Sequence, residues 1–432
     1  MKPFSAKQLP IIVLMIALGL LSSPLGMIPA RAAGVLYVMP GGTGDCSSWA
    51  SACDLQAALF AAASGDEIWV AAGTHKPAAG ADRNATFQLK DGIAVYGGFA
   101  GAETARDQRN LAANLTILSG DIDNNDSQTP IITDLTTVTG NTTNSYHVVT
   151  VMGASDVTLD GFTITAGNAN GGSGCFGTDC GAGMYNIQSS PTLANLIFSG
   201  NSADFGGGMY NAYGSPTLTS VTFSSNYAEA YGGGMDNQYN SNPTFINATF
   251  SRNSAGIGGG LYNAGSNPTL INTTFSGNSA SYGGGIYNSS SNSILTNVTF
   301  GGNSASASSS ADGAGAIYNK NSNPQIRNAI FWGNTAPNEG RQIYNNNSSP
   351  IVSDSIVQDG CSARSICTNI IRVDPRLGAL GNHGGFTPTI PLLPGSSAIN
   401  TGDDTACPST DQRGLARPQG DHCDIGAFEF EI

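Results

Sequence analysis

The chain has 432 residues, with 17 basic and 30 acidic side chains, 57 Gly and a charged fraction of only 11%. That is too long and apolar for a disordered tail, and too acidic for a nucleic-acid binder, whose affinity comes from Lys and Arg meeting phosphates. Asn numbers 39, with 27 between Asn186 and Asn347; a stretch so rich in Asn and Gly excludes a helical bundle, because both residues form helices poorly. An all-β chain is expected.

At the N-terminus, Lys2 and Lys7, the apolar run Ile11 to Leu21 and the small-residue site Ala30-Arg31-Ala32 make the three parts of a secretory signal peptide over residues 1–32. The apolar run is too short to span a bilayer, so no membrane span is expected once it is removed. Loss of Lys2, Lys7 and Arg31 leaves 17 − 3 = 14 basic against 30 acidic residues, a net charge of −16. The expected location is extracellular or at the cell surface, by bacterial-type export. The eight Cys fall into four close couples, Cys46 with Cys53, Cys175 with Cys180, Cys361 with Cys367 and Cys407 with Cys423. In an exported chain these read as disulfides, proximity favouring local pairing. Zinc fits poorly, since His422 beside Cys423 is a lone candidate ligand.

Residues 33–145 read as an N-terminal cap followed by irregular coils. Short strands are expected at Glu67 to Val70, Ala85 to Leu89, Ile93 to Tyr96 and Thr116 to Leu118, and a helical patch at Ala57 to Ala63 that closes the apolar core at one end. Within this part, Asp121, Asp123 and Asp126 alternate with Asn124 and Asn125; such oxygens suit Ca²⁺, with a plain polar turn as the alternative. No other cofactor is expected.

Residues 146–355 carry a repeat. Phe198, Phe223, Phe250, Phe275, Phe300 and Phe331 are 25, 27, 25, 25 and 31 residues apart. Three residues after each stands Asn201, Asn226, Asn253, Asn278, Asn303 or Asn334; three before, Asn195, Ser220, Asn247, Asn272, Asn297 or Asn328; five before, an apolar residue such as Leu218. A glycine run then leads into an apolar-aromatic-Asn triplet, as in Gly206-Gly207-Gly208-Met209-Tyr210-Asn211. A leucine-rich repeat fails on its second half, where Ser-Ala and Gly-Gly-Gly supply neither apolar anchors nor helix propensity. A parallel β-helix passes a parity test. Leu218 and Phe223 are an odd number apart, so an unbroken strand would point them to opposite faces; a left-handed bend at the intervening residue brings both inward. Stacked coils would align these bend Asn into a ladder of side-chain amides. The residue after the buried Met, Leu or Ile would point outward, giving a column of Tyr185, Tyr210, Tyr262, Tyr287, Tyr318 and Tyr344, interrupted by Asp236. Such a column could grip sugar rings or simply stabilise a sheet face. The 31-residue copy is expected to carry an inserted loop at Ser306 to Asp312.

Residues 356–432 lose the frame and read as a C-terminal cap. The Phe-x-x-Asn and Gly-Gly-x-Ile frame resembles the repeats of polymorphic outer-membrane proteins, within the pectin-lyase-like right-handed β-helix superfamily. The stretch from Pro394-Gly395-Ser396-Ser397-Ala398-Ile399-Asn400 through Asp411-Gln412-Arg413-Gly414 to Glu429 resembles the choice-of-anchor Q domain of bacterial surface proteins. The resemblance implies a right-handed parallel β-helix of about a dozen coils, and a superfamily in which lyases, hydrolases and adhesins share one scaffold.

For chemistry, a lyase needs a base and a cation to neutralise the substrate acid, but between Arg109 and Arg327 the basic residues are only Arg252 and Lys320. A hydrolase needs two carboxylates, for which Asp204, Glu229 and Asp236 are candidates, the first two at similar positions on adjacent coils. The expected role is a surface binding or adhesion module for a polysaccharide or a surface protein. A carbohydrate-active enzyme and a passive spacer are the alternatives.

Overall fold

A computed structural model of the protein describes residues 33–431, apart from 173, 174, 176, 308–312 and 338–341. The expected signal peptide and most of the inserted loop lie outside the described residues. Among those residues the strands form three sheets of seventeen, nine and six strands, paired in parallel. Along the long sheet, eleven successive parallel pairings run from Val35–Val38 to Ile366–Ile371, hence twelve coils. The protein is a right-handed parallel β-helix, roughly 50 Å long at about 4.8 Å per coil.

The parity argument holds in the backbone. Leu218 and Phe223 are both fully buried, and Ser220 between them is left-handed at φ 56°, as are Asn195, Asn247, Asn272, Asn297 and Asn328 at their equivalent positions. Phe198, Phe223, Phe250, Phe275, Phe300 and Phe331 stack along the core with centroids 4.7–4.8 Å apart. The glycine runs have two causes. Their first residue is left-handed, as at Gly206 and Gly232; a Cβ on their third, Gly208 or Gly234, would meet the Phe223 or Phe250 ring within 3 Å.

The Asn ladders run elsewhere than expected. The bend Asn bond to one another in only two places, Asn272 to Asn247 and Asn328 to Asn297. Two other columns carry continuous ladders. In the first, Asn201, Asn226, Asn253, Asn278 and Asn303 each donate from Nδ2 to the next Oδ1 at 2.8–3.0 Å, ending on Asn334. In the second, Asn186 through Asn211, Asn237, Asn263, Asn288 and Asn319 to Asn345 do so at 2.7–3.0 Å. Both columns are buried, so an amide there can bond only to the stack, whereas the bend Asn lie at the surface of the coil, where another segment reaches them.

That segment is the C-terminal one. Beyond its disulfide loop it lies lengthwise along the flank of the helix. Asn272 donates to Thr410 O, Asn297 to Asp424 O and Gly426 O, and Asn328 to Asp403 O. Gln412 pins it. Its Nε2 donates to Ala248 O, Thr249 Oγ1, Thr387 Oγ1 and Pro388 O, and its Oε1 accepts from Thr274 Oγ1. Two of the segment's arginines pair within it, Arg417 with Glu429 at 3.1 Å and Arg413 with Asp411 at 2.8 Å, while Asp403 reaches Arg327 of the helix at 3.5 Å. At the other end, the helix Leu55–Ala61 is capped by Asp54, whose carboxylate accepts from Ala57 N, which starts it two residues earlier than expected. It buries Leu55, Ala58 and Leu59 in the core.

The ladder makes a quantitative demand. Asn253 Nδ2 donates to Phe223 O and Asn278 Oδ1, while its Oδ1 accepts from the backbone and side-chain amides of Asn226. Asn253→Ala removes all four of these bonds from a dry interior and leaves the Asn226 backbone amide without its side-chain acceptor, so chemical denaturation should show a loss of about 3 kcal/mol or more; a loss under about 1 kcal/mol would show the ladder to be incidental.

Candidate functional site

The expected sugar-gripping tyrosine column needs correction. Its rings do stack, Tyr185 on Tyr210, Tyr262 on Tyr287 and Tyr287 on Tyr318 at 4.8–5.8 Å. They point away from the core as expected, but Tyr185, Tyr210, Tyr287 and Tyr318 are buried, and Tyr262 and Tyr344 are half-buried. Phe205, Cys175 and Cys180 pack against Tyr185 and Tyr210, while Ile257 and Tyr282 pack against Tyr262, Tyr287, Tyr318 and Tyr344. Tyr210 is 0% exposed, and burial pushes the Tyr287 hydroxyl up to about 12. No ring face is left for a sugar at Tyr210. The apolar residues that cover the column come from the short sheet, whose strands follow each buried Asn at positions where the sequence varies too much to announce a lid.

Asp236 fills the rung that lacks a tyrosine, and the neighbouring chain compensates. The 27-residue coil has an irregularity between Ala228 and Tyr231, and the Tyr231 ring stacks on the free face of Tyr262 at 4.6 Å. Asp236 itself is fully buried with one hydrogen bond, from Gln238 Nε2. Burial holds its carboxyl well above the usual range, and its complete burial seals it from any substrate. Asp204 and Glu229 do stand on adjacent rungs of the short sheet, and burial together with the charges of Asp179 and Glu229 raises the Asp204 carboxyl. Asp236 is not brought to them.

The Asp121, Asp123 and Asp126 loop is organised around an internal cation. Lys76 Nζ lies 3.0 Å from Asp121 Oδ2 and 2.8 Å from Asn124 Oδ1. Asp126 turns inward to accept from Asn144 Nδ2, and burial pushes its carboxyl up to about 6. Asp123 faces Asn125. Among the described residues no group of three or more His, Cys, Asp or Glu is placed to hold a metal ion. The expected Ca²⁺ site is thus replaced by an ammonium, a partner outside the loop that its spacing could not reveal. The four Cys couples are disulfides, each paired locally, and His422 bonds to Asp404 at 2.7 Å.

What the structure assembles instead is a groove centred on Arg252. This residue follows the Phe strand in a column of Gly200, Ser225, Gly277, Gly302 and Gly333, and it shares their left-handed backbone, at φ 54°. A long side chain there costs about 1 kcal/mol relative to glycine. The exposed Arg252 stem passes over Gly277 on the next coil. It forms no ion pair among the described residues. On one side is a cavity of about 690 Å³, lined by Tyr227, Ser202, Ser254 and the loop Thr133 to Thr136. On the other is one of about 600 Å³, lined by Thr222, Ser224, Leu380, Phe386 and Pro388. Arg252 lines both.

Each wall is fixed to the helix. Ile132 N donates to Thr165 Oγ1 and Ser199 Oγ donates to Ile132 O, anchoring the first. Thr249 Oγ1 donates to Pro388 O and Thr387 Oγ1 to Asn247 O, anchoring the second. The groove therefore presents one guanidinium between two exposed aromatic rings, Tyr227 and Phe386, with serine and threonine hydroxyls on its floor. Its one lining carboxylate, Asp134, accepts from Thr136 N and Oγ1, which hold it below the usual range. The sequence did offer a signal, an Arg in a column of Gly and Ser, but the walls come from segments over a hundred residues away.

No family profile matches the chain, and no curated protein is similar to it in sequence. Among solved structures, the chain is similar to the crystal structure of the pectate lyase Pel9A, with TM-score 0.50 and 14% identity over 92% of this chain and 96% of that one. At that identity the likeness defines the fold.

The buried acid yields a test by titration. Asp236 is protonated in the folded chain and ionises at about pH 4 when unfolded, so the folded state binds the extra proton and stability falls as pH rises from about 4 upward. Asp126 and Asp424, both raised to about 6 by burial, act in the same sense. Asp236→Asn should flatten the decline of the denaturation midpoint between pH 5 and pH 8. An unchanged slope would mean that the acid is ionised in place.

Proposed function

We propose that this is an exported β-helix protein of the cell surface or extracellular space that binds acidic glycans in the Arg252 groove. The observation that carries the reading is Arg252 itself. A cation with no ion pair among the described residues stands on strained backbone between two aromatic rings, in a protein whose net charge is −13. Ser225 is the other non-glycine on this left-handed column, but Arg252 alone carries a long charged side chain there, and strain retained under such a side chain points to a functional position. A guanidinium pairs bidentately with a carboxylate, exposed rings cover the apolar faces of sugar units, and hydroxyls on the floor exchange hydrogen bonds with theirs. The secretory signal at the N-terminus, and the resemblance to polymorphic outer-membrane-protein repeats and the choice-of-anchor Q domain, support a surface location. Binding without turnover is favoured because, among the described residues, no basic group besides Arg252 lines the groove. Its one carboxylate is committed to a turn.

The test is affinity electrophoresis of the mature chain in gels cast with polygalacturonate or alginate, followed by sizing of the polymer. Wild type should be retarded without shortening the polymer, and salt should weaken the retardation. Arg252→Gln should weaken it by about tenfold or more, the scale of a lost charge-assisted hydrogen bond. Arg252→Gly should do the same while holding or raising stability, because it relieves the left-handed backbone. Equal retardation of wild type and both variants would refute the groove, and shortening of the polymer would make the protein an enzyme.

A further inference from the structure

The corner joining the nine-stranded sheet to the long sheet is also left-handed in the regular coils. Gln188, Tyr213, Tyr239, Gly265, Ser290 and Asn321 have φ of 50–58°. Glycine and asparagine suit that backbone, and tyrosine is strained in it. Two successive coils nevertheless carry Tyr213 and Tyr239, whose rings stack face to face at 5.0 Å and 8° and stay 51% and 41% exposed. The second arrives through an insertion. Met235 to Pro243 has one residue more than Met209 to Pro216 or Leu261 to Pro268, and Asn240 is left-handed as well, at φ 59°.

Tyr213 covers one face of Tyr239, so the other faces the following coil. That coil has Gly265 at the corner, where a Cβ would meet no atom within 4 Å. Beside this open space runs a row of exposed amides. The Oδ1 atoms of Asn267, Asn292 and Asn323 are each fixed by a backbone N–H of the next coil at 2.6–2.7 Å. This sets the orientation of each amide, and the Nδ2 groups have no partner among the described residues. One unused donor pair therefore recurs per coil on the coils that follow Tyr239, and none of these residues is charged.

From this geometry we infer that the corner is a second glycan site, distinct from the Arg252 groove, which takes a neutral β-linked pyranose chain. One sugar stacks its axial C–H face on the free face of Tyr239, positive edge against negative π-cloud. The hydroxyls of that unit and the next accept from the Asn267 and Asn292 amides, which are already held in place. An uncharged site selects a neutral chain, as the groove selects an acidic one. A purely structural stack accounts for the observations less well, because it strains two backbones and still leaves both rings wet.

Saturation-transfer NMR on the mature protein with cellohexaose, xylohexaose and mannohexaose tests this, with affinities from calorimetry. At least one should receive saturation on its axial protons. Tyr239→Gly, which installs the residue that the backbone prefers, should weaken binding about tenfold or more with an unchanged or raised melting temperature. Asn267→Ala should weaken it more modestly. Arg252→Gln should leave binding of the neutral hexasaccharide intact, and Tyr239→Gly should leave retardation by acidic polymer intact, so the two sites fail separately. No transfer to any of the three sugars, or transfer unaffected by Tyr239→Gly, overturns the inference. A fall in melting temperature for Tyr239→Gly without loss of binding would assign the stack to stability.

Discussion

Everything in this molecule depends on satisfying backbone amides at buried corners. A coil of short strands must turn several times, and each turn interrupts the sheet ladder while remaining inside the stack. The protein answers with side-chain amides that copy the peptide group. An Asn at the same place in each coil accepts from the amides of the coil before it and donates to that of the coil after it. Ladders of this kind bond only if the coils are in register, so they set the register as well as close the turns. The phenylalanine stack adds burial, but on its own it would tolerate slippage, since one ring face resembles another.

Register then makes every departure conspicuous. Where most residues of a corner column are glycine, serine or asparagine, a large side chain is out of keeping with it. Arg252, Tyr213 and Tyr239 are such departures, and all three are exposed. Asp236 is the buried counterpart, and the chain answers it with a local irregularity that lets Tyr231 cover the bare ring below. The contrast separates two kinds of exception. A misfit inside the stack draws in a neighbour to heal it, whereas a misfit at the rim stays strained and wet.

The same logic explains what could be read in the sequence. The six-fold Phe spacing and the odd separation of Leu218 and Phe223 were enough to place left-handed bends at Asn247 and its equivalents. The amide ladder was expected as well, but on the wrong column. The repeat shows that an Asn recurs, not which one is buried on all sides. The tyrosine column was legible as a column and not as a covered one, because its lid is made of Phe205, Ile257 and Tyr282, which vary from coil to coil. The groove was the least legible. Its second wall is placed by Gln412 reaching Ala248, 164 residues away, a contact without any local pattern.

Why the exceptions at the rim fall on corners follows from the energetics of a stack. In a solenoid each coil contacts only its neighbours, so strain at one corner is borne locally and does not propagate. A strand position has no such freedom. A changed side chain on a sheet face meets its counterparts 4.8 Å above and below, and one that disrupts pairing there weakens two interfaces at once. Corners lie between sheets, where the amide ladders already hold the backbone independently of the outward side chain. The Asn columns therefore do two things with one set of bonds. They hold the coils together, and they release the outward corner residues from structural duty. An arginine can then stand among glycines and a pair of tyrosines on left-handed backbone, and recognition can vary along the stack while the fold beneath it does not.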